Sequence, residues 1–199
     1  MKVSDAIKNR RSVNVFDPSH QISTAEIREL IAAANLSPSA FNAQHWRFVW
    51  LQDKDLLEQT KVAAWYQPQV MDASLVLLVC LDIKAWQKEP QRYWVNAPAD
   101  VAESMISNSQ EIYATNPQLQ RDEGMRSASM ASMAIMLKAQ EMGLDSCAMA
   151  CDEQQMAELV KLPDDHAICM LLAVGKRLDA PYPRPGLVSV EDVLLVNSF

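Results

Sequence analysis

Two adjacent arginines and a hydroxyl, Arg10, Arg11 and Ser12, open the stretch NRRSVNVF. A guanidinium is a planar fork of donors matched to phosphate oxygens, and serine adds one more donor. The same cations at a helix end would simply offset the macrodipole. Asn14 follows, between Val13 and Val15 in a strand-like alternation. A second group lies in SPSAFNAQHWRFVWL, Ser37 to Leu51. Here Ser39, Asn42, Gln44 and His45 run up to a strand without one glycine. Asn42 and Gln44 each donate and accept, which suits the edge of a heterocycle of mixed polarity. A loop of Asx-type turns is the plainer reading. Gln67 and Gln69 flank Pro68, and Arg184 stands between Pro183 and Pro185 on a nearly immobile backbone. A rigidly held cation binds better than a mobile one, although surface exposure alone would also explain it.

Other chemistries lack their residues. Four glycines, Gly124, Gly143, Gly175 and Gly186, cannot spell G-x-G-x-x-G or G-x4-G-K-[ST]. Any nucleotide phosphate must therefore be met mainly by cationic side chains. None of His20, His45 and His166 has a second ligand at i+4, so a helical zinc site has no support. No G-x-S-x-G elbow occurs, and Asp164 and Asp165 follow a proline in a solvated turn. Cys147 and Cys151 are spaced C-x3-C with no matching histidine pair, which reads as buried thiols. The net charge of −7 argues against nucleic acid and anionic membrane as partners. No apolar run reaches spanning length and no signal-peptide core is visible, so a reduced, cytoplasmic protein is expected.

These groups need elements to position them. The expected helices are Met1–Asn9 with Ser4 as cap, a strong one opened by the capping box Ser23/Glu26, Asp53–Trp65, a long one from Asp100 to about Tyr113, Asp122–Met142 ending at Gly143, and one opened by Asp152 and Gln155. Apolar runs WRFVWL, SLVLLVCL and AICMLLAVGK, with the weaker DSCAMA, read as strands buried on both faces. Helices outnumber strands, giving an α+β or three-layer domain around one sheet. The methionines of the long helix read as core filler, and its small residues as a surface for close helix approach, within the chain or across a dimer.

Together the segments IKNRRSVNVF, LIAAANLSPSAFNAQHWRFV, AWYQPQVMDASLVLLVC, MASMAIMLKAQEMGLDSCAM, LVKLPDDHAICMLLAVGK and PRPGLVSVEDVL resemble, in order, the motifs of the nitroreductase family. The resemblance implies a three-layer α/β/α fold with a mixed, mostly antiparallel sheet, working as an intertwined homodimer. It implies one domain over 1–199, with about 86–115 as a helical excursion over the site and the C-terminal tail reaching the partner. It implies FMN as cofactor, NADH or NADPH as reductant, and a small conjugated acceptor such as a nitroaromatic or quinone in a ping-pong cycle. By the same resemblance Arg10, Arg11, Ser12 and Arg184 take the phosphate and ribityl chain. Pro38, Ser39, Ala40 and Asn42 come from the other subunit to line the isoalloxazine. Gln67 and Gln69 lie near its polar edge, and Cys147, Ala148 and Met149 pass backbone near N5. Asn14 stands where relatives often carry a cation, which implies a lower flavin potential. A flavin carrier without turnover, or a dedicated dehydrogenase or dehalogenase of the same fold, would share these residues, and a helical structural protein with no cofactor would not need them.

Overall fold

A computed structural model describes residues 1–199. Helix α1 spans Val3–Asn9 and α2 spans Thr24–Ala34. Ser23 caps α2 as its sequence demands: its hydroxyl accepts from the Glu26 amide at 3.2 Å, and Glu26 reaches back to the Ser23 amide at 2.8 Å. Strand β1 is Trp46–Leu51, followed by α3 (Lys54–Ala63) and the single turn α4 (Gln69–Asp72). Strand β2 (Leu75–Asp82) leads into two 3-10 turns, Ala85–Gln87 and Pro90–Tyr93, and then into α5 (Ala99–Ala114). The long α6 (Pro117–Glu141), β3 (Asp145–Met149), α7 (Glu153–Val160) and β4 (His166–Gly175) follow, with a short α8 (Val190–Val193) in the tail.

The four strands form one sheet in the order β1-β2-β4-β3, every pair antiparallel. The sheet is thus not mixed as expected. The one parallel contact involving it is an isolated bridge between Ser12 and Ser146, too short to add a strand. Residues of β2 alternate between the two faces, as a pleated strand must. Leu75, Leu77 and Val79 pack with Ile27 and Leu30 of α2 and with Ala131 and Ile135 of α6. Val76, Leu78 and Cys80 pack on the other side with Ala63 of α3 and Met156 of α7. This gives the three layers. A bulge between Val79 and Cys80 leaves Cys169 of β4 as the residue without a register partner.

Two expected boundaries move. Ser4 lies inside α1, whose N-cap is Lys2, and the free amide of Lys2 is met by the Asp5 carboxylate at 3.4 Å. Helix α6 starts at Pro117, ahead of Asp122, because Asn116 accepts from the Leu119 amide at 3.0 Å and proline fits a first turn. No helix is long and apolar enough to cross a membrane.

Candidate cofactor site

The chain leaves α1 through Arg10 and Arg11, and Ser12 then meets β3. The Val13 amide donates to the Ser146 carbonyl at 3.1 Å, which holds Arg10 to Asn14 along the outer edge of the sheet. Arg184 returns from the tail to this place. Its Nη2 donates to the carbonyls of Arg10 (2.9 Å), Lys8 (3.2 Å) and Ile7 (3.5 Å), the unpaired acceptors at the end of α1. Arg11 Nη2 donates to the Tyr182 carbonyl. The two arginines therefore tie the tail to α1, and each keeps other N–H groups free. No carboxylate lies within ion-pair distance of Arg10, Arg11 or Arg184. Three unneutralised guanidiniums in a chain of net charge −7 make this an anion-seeking corner.

The amides come to the same edge. Buried Gln69 donates from Nε2 to Asn14 Oδ1 at 3.2 Å and lies 3.9 Å from Cys147 Sγ, while its Oε1 has no partner. The buried Ser146 hydroxyl is also unpartnered. Gln67 Nε2 reaches the Ala150 carbonyl at 3.3 Å, at the turn that leaves β3. An orphaned amide oxygen on a side chain bonded to Asn14, four residues along from Arg10, fits a ligand that carries both an anionic tail and an N–H edge. Ala148 is exposed, whereas Cys147 and Met149 turn inward to the core, so the last two can offer only backbone to a ligand.

The loop at residues 38–45 stands elsewhere. It enters β1, at the opposite edge of the sheet, so Pro38, Ser39, Ala40 and Asn42 are not brought to the arginines of the same chain. The loop's stiffness has an unexpected source: Phe41, Asn42 and Gln44 all have left-handed backbone, at φ 51°, 52° and 45°. For residues other than glycine such geometry persists only when the surroundings enforce it. Ser39 Oγ accepts from the Gln44 amide at 3.0 Å, Asn42 Nδ2 donates to the Tyr93 carbonyl at 2.7 Å, and the Phe41 ring meets Tyr113 edge-on at 5.5 Å. The helical excursion is thus locked onto the loop.

Sequence reading missed the ionic clasp that holds this excursion. Asp82, at the end of β2, is buried and receives Lys88 at 2.9 Å and Arg47 at 3.1 Å. Lys88 also pairs with Asp165 at 2.6 Å, and Asp165 with His166 at 2.6 Å. The hydrogen bond from Lys88 holds the Asp165 carboxyl below its usual range. The residues are scattered along the chain, and only the sheet register, which sets Asp82 opposite His166, brings them together. His45 ends the polar loop that runs up to β1. It is fully buried with both ring nitrogens unpartnered, and burial drives its pKa down to about 4 against the opposing pull of Asp82. All four cysteines are free thiols. Burial raises each of them, Cys80 to about 12 and Cys151 to about 11, with Cys147 eased back by Gln69 and Arg10.

Known proteins resemble this chain in sequence and in fold. The chain is 46% identical to protein DrgA of Synechocystis sp., over 99% of this chain and 97% of that one. It is 32% identical to MhqN of Bacillus subtilis, assigned as an NAD(P)H nitroreductase, over 85% and 86% of the two chains. A crystal structure from Exiguobacterium sibiricum, of a protein assigned as a nitroreductase and in complex with FMN, superposes with a TM-score of 0.91 at 26% identity, covering 99% of this chain and 98% of that one. Residues 7–176 match the model of the nitroreductase family, from the last turn of α1 to the end of β4, so that Arg10, Arg11, the left-handed loop and the whole sheet fall within the match while Arg184 lies beyond it, and the chain belongs to that family.

Proposed function

We propose that the protein is an FMN-dependent oxidoreductase that takes hydride from NADH or NADPH and passes it to a small conjugated acceptor. The observation that carries this reading is that Arg184 is bonded to the Arg10 backbone and Arg11 to the tail at Tyr182, that none of Arg10, Arg11 and Arg184 is neutralised, and that Gln69, bonded to Asn14 on the same stretch, keeps an orphaned carbonyl oxygen. That set matches a mononucleotide with a phosphate at one end and a ring bearing N–H and carbonyl groups at the other. The FMN complex of the Exiguobacterium protein and the NAD(P)H in the name of MhqN supply the chemical classes. FMN, when bound, supplies the hydride chemistry, and no side chain need act as acid or base.

The chain's own part is to bind, orient and cover. Arg10 and Ser12 hold the phosphate and ribityl chain, with Arg11 beside them and Arg184 closing from the tail. The Asn14–Gln69 pair presents a fixed amide edge to the ring. The stiff loop at 38–42 then has to come from a second copy. The sheet separates it from the arginines by three strand spacings, about 14 Å. Two observations support such a homodimer. Beyond Gly186 the tail exposes Leu187, Val188, Val190, Val193, Leu194, Leu195, Val196 and Phe199, a length of apolar chain with nothing of its own to cover. The outer edge of β1 is likewise unpaired. Two copies exchanging tails would bury both and complete two sites.

The test is anaerobic addition of NADH or NADPH to the yellow protein. Loss of the oxidised-flavin absorbance within seconds, followed by its return on adding a quinone or nitroaromatic, is the expected result. A stable yellow colour would mean a carrier without turnover, and a colourless preparation that cannot be reconstituted with FMN would remove the flavin reading.

A further inference from the structure

Helix α5 is 16 residues long, yet only Ser109 and Tyr113 of it are buried, and both lie in its second half. They fall on one stripe, which fastens the helix to the body where the Tyr113 ring meets Phe41 and Trp86. A neighbouring stripe, Ala99, Ala102, Glu103, Ile106 and Gln110, recurs at the three- and four-residue spacing of one helix face. It does not close on protein. Between it and the chain from Gln91 to Ala97 lies a groove of about 660 Å³, the size of a small-molecule site.

The walls are mostly apolar, with Trp94 and Val95 on one side and Ala102 and Ile106 on the other. The Trp94 ring has neither an aromatic nor a cationic partner, whereas Arg92 covers the ring of Tyr93 at 4.8 Å. Val95 is 76% exposed. A flat face and an apolar floor are thus left open. Gln91, Ser107 and Gln110 add donors that can meet an oxygen. Glu103 is the only charged lining group, and no cation lies within ion-pair distance of it. Residues 91–110 alone make the groove, so the outer edge of β1 has no part in it. Charge also sets the groove against the tail. Residues 187–199 hold Glu191 and Asp192 and no lysine or arginine, and like charges repel.

We propose that this groove seats the electron acceptor and selects uncharged rings bearing oxygens, such as a two-ring quinone, over anionic ones. Trp94 supplies the stacking face and Glu103 the selection. The proposal rests on the oxidoreductase reading above, in which the loop at 38–42 covers the flavin of the second copy. Asn42 Nδ2 donates to the Tyr93 carbonyl at 2.7 Å, and Trp94 is the next residue. The groove therefore travels with the loop and opens at the rim of that flavin. A conjugated ring stacks on the indole, and its carbonyl oxygens accept from the Gln91 and Gln110 amides. An anionic ring is repelled by Glu103, in a chain whose net charge is already −7.

The experiment is a calorimetric titration of the purified protein with 2,3-dimethyl-1,4-naphthoquinone and with the same ring carrying a sulfonate in place of one methyl. No reductant is present, so the heat reads binding alone, and a failure here is distinct from a failure of the oxidoreductase reading, which the anaerobic colour test decides. The uncharged quinone should bind at least about tenfold more tightly, the scale of one unfavourable charge contact. Glu103→Gln should narrow that margin by strengthening sulfonate binding, and Glu103→Lys should reverse it. Trp94→Ala should weaken both ligands by about 2- to 10-fold, and Trp94→Phe should keep most of the affinity. Flavin content and the far-UV spectrum report that each variant is folded. Equal binding of the two rings to the unaltered protein would overturn the proposal. So would a Glu103→Lys chain that keeps the original preference, or a Trp94→Ala chain whose only change is dissociation of the oligomer, which would make the groove the seat of the partner's tail.

Discussion

At the scale of single residues, Arg184 has two duties. It closes the acceptors at the end of α1 and it adds a free guanidinium to the anion-seeking corner. Arg184→Ala should weaken FMN binding by about 10- to 100-fold, the scale of a lost hydrogen bond to a charged group. A fluorescence titration that finds unchanged affinity would remove Arg184 from the site. His45 makes a different prediction. Its folded pKa of about 4 lies below the ordinary value of 6.5, because burial disfavours the imidazolium. Between those two values the unfolded chain binds the proton and the folded chain does not, so stability falls as pH falls through that window. The His45 contribution lost between pH 7 and pH 5 is about 2 kcal/mol. Unfolding free energies from urea titration at the two pH values should differ by that much less in His45→Leu than in the unaltered chain.

At the scale of elements, Gly143 shows where a glycine is required. It ends α6 at φ +75°, its amide bonded to the Gln140 carbonyl and the Leu144 amide to that of Ala139. Gly143→Ala should cost about 1 kcal/mol of stability in urea unfolding, with flavin binding untouched. That residue was legible because a C′ glycine is a local signal. So was the Ser23/Glu26 box, where cap and partner are three residues apart, and so were the strands, whose apolar runs need no distant context. The start of α6 was written in Asn116-Pro117 as well, but a proline reads equally as a breaker. The left-handed run at Phe41, Asn42 and Gln44 had no such signal. Bulky residues do not choose that backbone, and what holds it there is the Tyr93 carbonyl and the Tyr113 ring, more than fifty residues away in the chain. The acidic clasp around Asp82 was hidden for the same reason. In the candidate site, residue type announced the arginines and amides, while their partition between two edges of the sheet became visible only once the strand order was known.

At the scale of the molecule, the tail is the element that the single chain cannot account for. Removing residues 187–199 should convert the proposed dimer to a monomer in light scattering and strip most of the flavin, while leaving the sheet and its far-UV spectrum intact. A truncated chain that stays dimeric and yellow would show that the tail is dispensable for assembly. The thiols have a consequence of their own. Flavin enzymes work beside dioxygen, and a reduced flavin that leaks electrons to it makes peroxide where the protein itself is the nearest target. Only the ionised form of a cysteine reacts readily with peroxide. Because burial holds all four thiols in the protonated form, peroxide formed at a reduced flavin would meet no ready thiolate in this chain.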